Sequence, residues 1–258
     1  MSVTPLFDFF KRGEVARDVR LLAAQGGLAP RAHEQLSILV FLLDDADPEI
    51  RQTADLTLSQ IPAGPLSAFL GRSDVSVGLR EFFADRGIFP AETAAEEADT
   101  PLIDADAADE ALFGEEEGEA LESLVQRLAK MGFSDRLKAA TKGSREMRAV
   151  LVRDPNKMIA AAVMSSPKLT DGEVEGIARM ASVSEDVLRI IGSNRAWMKN
   201  YKIAAALPRN PKTPVALSMN LLSRLNDRDL AQLSIDRNVP EPVRIAARKK
   251  VVAGKSGH

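Results

Sequence analysis

Nine cations in the C-terminal half recur at spacings suited to holding anions. Arg153, Arg195 and Arg237 follow one another at intervals of 42, and Lys168 and Lys212 stand 44 apart. Lys157 and Lys202 are near equivalents in the same register, and Lys199 and Arg209 lie between these positions. Guanidinium and ammonium groups offer one chemistry at neutral pH: they neutralise carboxylates or phosphates and donate hydrogen bonds to them. Equivalent positions of a repeat stack along one edge, so the series predicts a cationic ridge. A second reading gives each loop arginine to the carbonyls at the end of the preceding helix, which it would cap. Substitution would cost binding in the first case and stability in the second.

Other chemistries find little support. The chain has no cysteine, which excludes disulfides, thiolate metal sites and cysteine nucleophiles. Of the two histidines, His258 is terminal and His33 precedes Glu34, but Ser37 stands where a zinc-protease pattern needs a second histidine. A Ser/His/Asp triad would have only His33 as its base. Carboxylate pairs such as Asp227 with Asp229 are abundant in a chain this charged. Asp104, Asp106 and Glu115 have the spacing of a calcium loop, yet Ala108 and Asp109 replace a ligand and the turn glycine. Gly254-Lys255-Ser256 ends like a phosphate loop, but Lys249 occupies the place of its first glycine. No catalytic residue, metal or cofactor is expected. Seven of the eight methionines fall at or after Met131, where they are expected to fill gaps between short helices.

The elements that would position the cations are short helices in a repeat. Asn156-Lys157-Met158-Ile159-Ala160-Ala161-Ala162-Val163, followed by Ser166-Pro167-Lys168, returns as Asn200-Tyr201-Lys202-Ile203-Ala204-Ala205-Ala206-Leu207, followed by Asn210-Pro211-Lys212. A period of about 44 residues built from helical patterns marks an α-solenoid. Hydropathy and turn signals predict helices near 121–131, 135–141, 145–152, 158–165, 172–181, 185–192, 199–207, 214–224, 228–235 and 241–251. Loops fall at Arg153-Asp154-Pro155-Asn156, Ser193-Asn194-Arg195 and Asn238-Val239-Pro240.

The N-terminal part also reads as short helices. Arg31 to Leu43 is dense enough in apolar residues for a buried helix. Asp47 is a natural N-cap, Pro48 suits the first helical position, and Ile50, Ala54, Leu58 and Ile61 share one face. Leu66 to Leu70 and Leu79 to Phe83 form a further pair. The longest apolar run, Ile38 to Leu43, has six residues, far short of the roughly 20 a membrane span requires. Nothing in Met1 to Arg20 has the apolar core of a secretory signal, so a cytoplasmic protein is expected.

Charge divides the chain sharply. Residues 1–90 hold 9 basic and 12 acidic side chains, residues 91–120 hold none and 12, and residues 121–258 hold 25 and 13. The acidic tract lacks apolar surface to bury and repels itself, which predicts a disordered linker. Ile103, Leu112 and Phe113 interrupt it and form a candidate docking motif.

Asp47-Pro48-Glu49-Ile50-Arg51, with Ala54, Leu58 and Ile61, resembles the second helix of a HEAT repeat, though Asp55 and Thr57 depart from the usual small apolar residues. The resemblance implies a ladder role for Asp47 and Arg51. Three short helices per period is similar to the armadillo count, and Arg209-Asn210-Pro211-Lys212-Thr213-Pro214 resembles a leucine-rich-repeat-variant loop. The cysteine-ligated cluster found in some of those proteins cannot transfer. The expected fold is thus all-α: a HEAT/armadillo-like solenoid in two helical parts joined by a disordered acidic linker. Its divisions would be 1–90, a linker at 91–119, a basic repeat domain at 120–252 and a flexible tail at 253–258.

The expected function is a non-catalytic scaffold whose basic half binds an extended or acidic protein, with the acidic linker masking that surface when no partner is present. The alternative partner is a nucleic-acid backbone, although only Phe133, Trp197 and Tyr201 are aromatic after residue 120. An enzyme resembling HEAT-like DNA glycosylases would have to use Trp197 and Tyr201, four apart on one predicted helix.

Overall fold

The computed structural model describes residues 5–92, 100–103 and 121–255. Among them every regular element is helical: seventeen α-helices, with short 3-10 turns at Leu207–Arg209 and Leu222–Arg224. No helix of the described residues is long and apolar enough to cross a membrane. The expected calcium-like loop, Leu112 and Phe113 lie outside the described residues.

The chain divides into two compact units, one of Met1–Arg148 with Ser165–Lys168 and one of Ala149–Met164 with Leu169–His258. In the first, α1 (Pro5–Lys11), α2 (Arg17–Ala24), α3 (Ala32–Leu42) and α4 (Pro48–Ser59) pack on one another, and α5 (Ala63–Leu70) and α6 (Val77–Ala84) follow. The residues read as one face of α4, namely Ile50, Ala54, Leu58 and Ile61, are all at most 6% exposed. Asp47 caps that helix by accepting from the Glu49 N–H at 2.9 Å, and Pro48 opens it. Asp47 also accepts from Arg17 Nε at 2.6 Å, whereas Arg51 turns back onto the Ala46 carbonyl at 3.1 Å. This unit also holds α7 (Leu121–Lys130) and α8 (Phe133–Lys142), and α9 (Arg145–Leu151) begins in it.

The second unit contains α10 (Lys157–Ser165) up to Met164, α11 (Asp171–Arg179), α12 (Glu185–Ser193), α13 (Arg195–Lys199), α14 (Tyr201–Ala206), α15 (Val215–Leu221), α16 (Asp227–Ile235) and α17 (Glu241–Lys255). Side-chain caps start most of them. Thr170 and Glu173 form a reciprocal capping box at α11, and Ser184, Asn194, Asn200 and Asn226 cap α12, α13, α14 and α16. The C-terminal core gathers Leu222, Leu230, Leu233, Val239, Val243 and Ala247.

The two copies of the repeat start alike. Asn156 Oδ1 accepts from the Met158 N–H at 2.9 Å, and Asn200 Oδ1 from the Lys202 N–H at 3.0 Å. They diverge where Pro208 stands in place of Met164: lacking an N–H, proline cannot continue the ladder, and the second copy tightens into a 3-10 turn after Ala206. One expectation needs correction. Ser193-Asn194-Arg195 is not a loop, because Asn194 caps a five-residue helix, α13, at that point. Trp197 and Tyr201 consequently lie on different helices, separated by the extended residue Asn200.

Candidate interaction surface

The nine cations meet different fates. Arg153, in the turn after α9, folds back onto that helix, donating from Nε and a terminal nitrogen to the Ala149 carbonyl at 3.0 and 2.9 Å. Lys168 belongs to the first unit, where its Nζ donates to the Lys142 carbonyl at 3.2 Å. Lys157 pairs with Asp186 at 3.0 Å, and Arg209 with Asp229 at 2.5 Å and Gln232 at 2.8 Å. The side chains of the remaining five, Arg195, Lys199, Lys202, Lys212 and Arg237, are exposed and make no hydrogen bond or ion pair among the described residues.

Carbonyl capping by arginine is common here, but mostly at positions outside the repeating series. Arg80 Nε donates to the Leu70 carbonyl at 3.0 Å, buried Arg148 to the Gly143 carbonyl at 2.9 Å, and Arg224 to the Met198 carbonyl. Of the three arginines spaced by 42, only Arg153 does so. Helix-end carbonyls without intrahelical partners explain the placements, and sequence spacing alone does not distinguish such an arginine from a free one.

Lys212 lines a cleft of about 570 Å³ in the second unit, together with Pro211, Pro214, Pro240, Glu185 and Arg189. Arg189 Nε donates to Glu185 at 2.9 Å, so Lys212 is the one cation in this lining whose charge is not countered within it. Of the two aromatic residues in this unit, Trp197 is closed to stacking and Tyr201 keeps an exposed ring. Trp197 is 9% exposed, and although Tyr201 is 41% exposed, its hydroxyl donates to Asp229 and accepts from the Asn226 N–H at 3.1 Å. Desolvation of that hydroxyl holds the phenol above its ordinary pKa. Among the described residues most of the methionines are core or partly covered, as expected for gap-filling side chains, and Met219 is the exposed one.

In the first unit the structure brings Ile103 to a site that hydropathy did not reveal. Gln35, 2% exposed on α3, spends its whole amide there. Its Oε1 accepts from the N–H groups of Leu102 and Ile103 at 2.9 and 3.2 Å. Its Nε2 donates to the carbonyls of Ile103 and Gly26 at 2.8 and 2.9 Å. Gly26 ends α2 at φ +84°, and a Cβ there would lie 3.1 Å from Ile103 Cγ2 and 3.5 Å from Thr57 Cγ2. Glycine serves twice, tolerating the left-handed backbone and leaving room for Ile103. Thr57 is buried in this wall.

The neighbouring residue, Glu34, does a parallel job. Its Oε1 accepts from the N–H groups of Leu6 and Phe7 at 2.7 and 3.3 Å, supplying partners to the open start of α1. Burial pushes its carboxyl up to about 7, opposed by the nearby Ser165 hydroxyl, the two N–H groups and Arg31. Neither Glu34 Oε2 nor Ser165 Oγ, both buried, completes a well-formed hydrogen bond. Arg31 donates instead to the Ser165 and Ser166 carbonyls at 3.0 and 3.4 Å.

No group of His, Asp and Glu among the described residues is arranged to hold a metal ion. No protein-family model matches the chain, and comparison with curated proteins and with solved structures gives no match.

Proposed function

We propose that the protein is a non-catalytic interaction scaffold, a HEAT/armadillo-like solenoid in two helical parts whose basic C-terminal half binds an extended or acidic protein segment. One observation carries this reading: five exposed cations, Arg195, Lys199, Lys202, Lys212 and Arg237, have no counter-charge among the described residues. A merely solvated surface tends to intersperse both signs, and residues 121–258 instead hold 25 basic against 13 acidic side chains. Lys212 beside the proline-lined cleft offers a place where an extended chain would lie. Protein is favoured over nucleic acid because Trp197 is covered, which leaves Tyr201 as the single exposed aromatic ring among the described residues of the second unit, too few for a run of stacked bases.

The twelve carboxylates of residues 91–120 act as an internal competitor for the same cations. The test is titration of the full chain with fluorescent poly-L-glutamate and, separately, with a mixed-sequence oligonucleotide, at low and moderate salt. Saturable, salt-sensitive binding of polyglutamate supports the proposal, and binding of the oligonucleotide alone would move the assignment to nucleic acid. Substituting Glu115, Glu116, Glu117 and Glu119 by Gln should tighten polyglutamate binding at low salt, where screening is weakest. Unchanged affinity rules out the masking role, and no binding of either probe removes the scaffold reading.

A further inference from the structure

We propose that Gln35, Gly26 and Thr57 form a peptide-binding clip, occupied at rest by the chain's own Leu102–Ile103 and open to a partner segment in which proline precedes two aliphatic residues. This inference rests on the first unit alone and is independent of the basic surface.

The geometry is that of main-chain recognition. Three of the four hydrogen bonds made by the Gln35 amide go to the backbone of Leu102 and Ile103, and the fourth anchors the amide to Gly26. Backbone bonds supply affinity in such sites, and a pocket for one side chain supplies selectivity. Here the pocket is the surface over Gly26 and Thr57, where the missing Cβ admits the branched Ile103 side chain. A charged residue in that position would be desolvated against apolar atoms.

The chain uses the same recognition twice, which defines the motif. Thr4-Pro5-Leu6-Phe7 and Thr100-Pro101-Leu102-Ile103 share the order Thr-Pro-Leu-apolar. In each, the N–H groups of the last two residues converge on one side-chain oxygen of α3: Glu34 for Leu6 and Phe7, Gln35 for Leu102 and Ile103. Successive N–H groups that converge in this way form a concave donor site. Proline just before them fixes its own φ and carries no competing donor.

The two copies differ in what holds them. Leu6 and Phe7 belong to α1, with Leu6 fully buried, whereas residues 100–103 lie in no helix and Pro101, Leu102 and Ile103 are only partly buried. The gain from partial burial of two aliphatic side chains is of the same order as the cost of ordering their backbone. The second copy is therefore the exchangeable one, and a partner segment of the same pattern competes with it.

Hydrogen exchange on the unmodified chain tests the resting state. The Leu102 and Ile103 amides should exchange about 100-fold faster than those of Leu39 and Ala54, through local opening; exchange at the core rate would overturn the proposal. Binding is tested with Leu102→Ala/Ile103→Asp, which displaces the resting segment by setting a charge against the apolar wall at Gly26 and Thr57, and a fluorescent peptide of residues 99–104. Saturable binding to this variant is expected, weakened about tenfold or more when Gln35→Ala is added, because three backbone bonds are lost. A double variant with native helical circular dichroism that does not bind the peptide overturns the clip. If that variant loses its helical signal, the exchange measurement on the native chain decides.

Discussion

Ser166 and Asn210, 44 residues apart in sequence, perform the same task in their respective units. The Ser166 hydroxyl donates to the Thr141 carbonyl at 2.7 Å, at the end of α8. The Asn210 amide donates to the Ala178 and Met180 carbonyls at 2.9 and 3.0 Å, at the end of α11. Both side chains are buried, and each precedes a Pro-Lys pair. The repeat is thus a hydrogen-bonding scheme as well as a hydropathy pattern: a polar residue after one helix ties its loop to the unpaired carbonyls of an earlier one.

Removing that tie should be costly. Asn210→Ala leaves the buried Ala178 carbonyl and the part-buried Met180 carbonyl without this donor and is expected to lower stability by about 1–3 kcal/mol in urea denaturation. Lys212→Ala, two residues on but with a side chain exposed and unpaired among the described residues, should change it by less than about 0.5 kcal/mol. Equal effects would show that Asn210 contributes no more than a surface position.

Glu34 gives the protein an unusual pH dependence. Its folded pKa, about 7, lies above the ordinary 4.5, so the native state binds the extra proton between these values. Stability from this group is therefore complete below pH 4.5 and falls as pH rises through 7, by an amount on the order of 3 kcal/mol. A proton on Oε2 would supply the donor that Ser165 lacks nearby. Glu34→Gln keeps an acceptor for Leu6 and Phe7 while removing the charge. The variant should melt higher than wild type at pH 8 and lose most of the stability slope between pH 5 and 8; an unchanged slope would contradict this role.

Two glycines should respond oppositely to alanine. At Gly143 a Cβ would stand 2.3 Å from the Ala139 carbonyl oxygen and 2.8 Å from Met147 Sδ. The backbone must shift, and Gly143→Ala is expected to cost about 1–3 kcal/mol. At Gly176, inside α11, nothing lies within 4 Å of the added carbon, and alanine should raise stability by about 0.5–1 kcal/mol. Thermal melting of the two variants checks the pair.

Local signals were legible where local physics decides. Asp47, Pro48 and the spacing of Ile50, Ala54, Leu58 and Ile61 specify α4 through cap, first-turn proline and one apolar face, and the structure has each of them in place. The start of each repeat copy was visible because asparagine caps and alanine runs act within a few residues. Helix α13 was not, since a capping asparagine followed by five residues looks like a loop when no periodicity can develop. The positions of Ile103 and Gln35 depend on partners 68 residues apart, and hydropathy marked Ile103 as out of place without indicating where it binds. Glu34 and Gln35 read as ordinary helix residues because their partners, at Leu6 and Ile103, lie on other segments. The arginine series failed to separate caps from free cations for a related reason: a carbonyl within reach is a property of the fold.

The most direct measurement is the affinity of the full chain for fluorescent polyglutamate before and after Arg195→Glu, Lys212→Glu and Arg237→Glu are combined. All three side chains are exposed and unpaired among the described residues, so circular dichroism and melting should stay near those of wild type. A basic binding surface predicts that affinity falls by about 100-fold or more at low salt and that the difference shrinks as salt rises. Equal affinities for the two proteins at every salt concentration would contradict it.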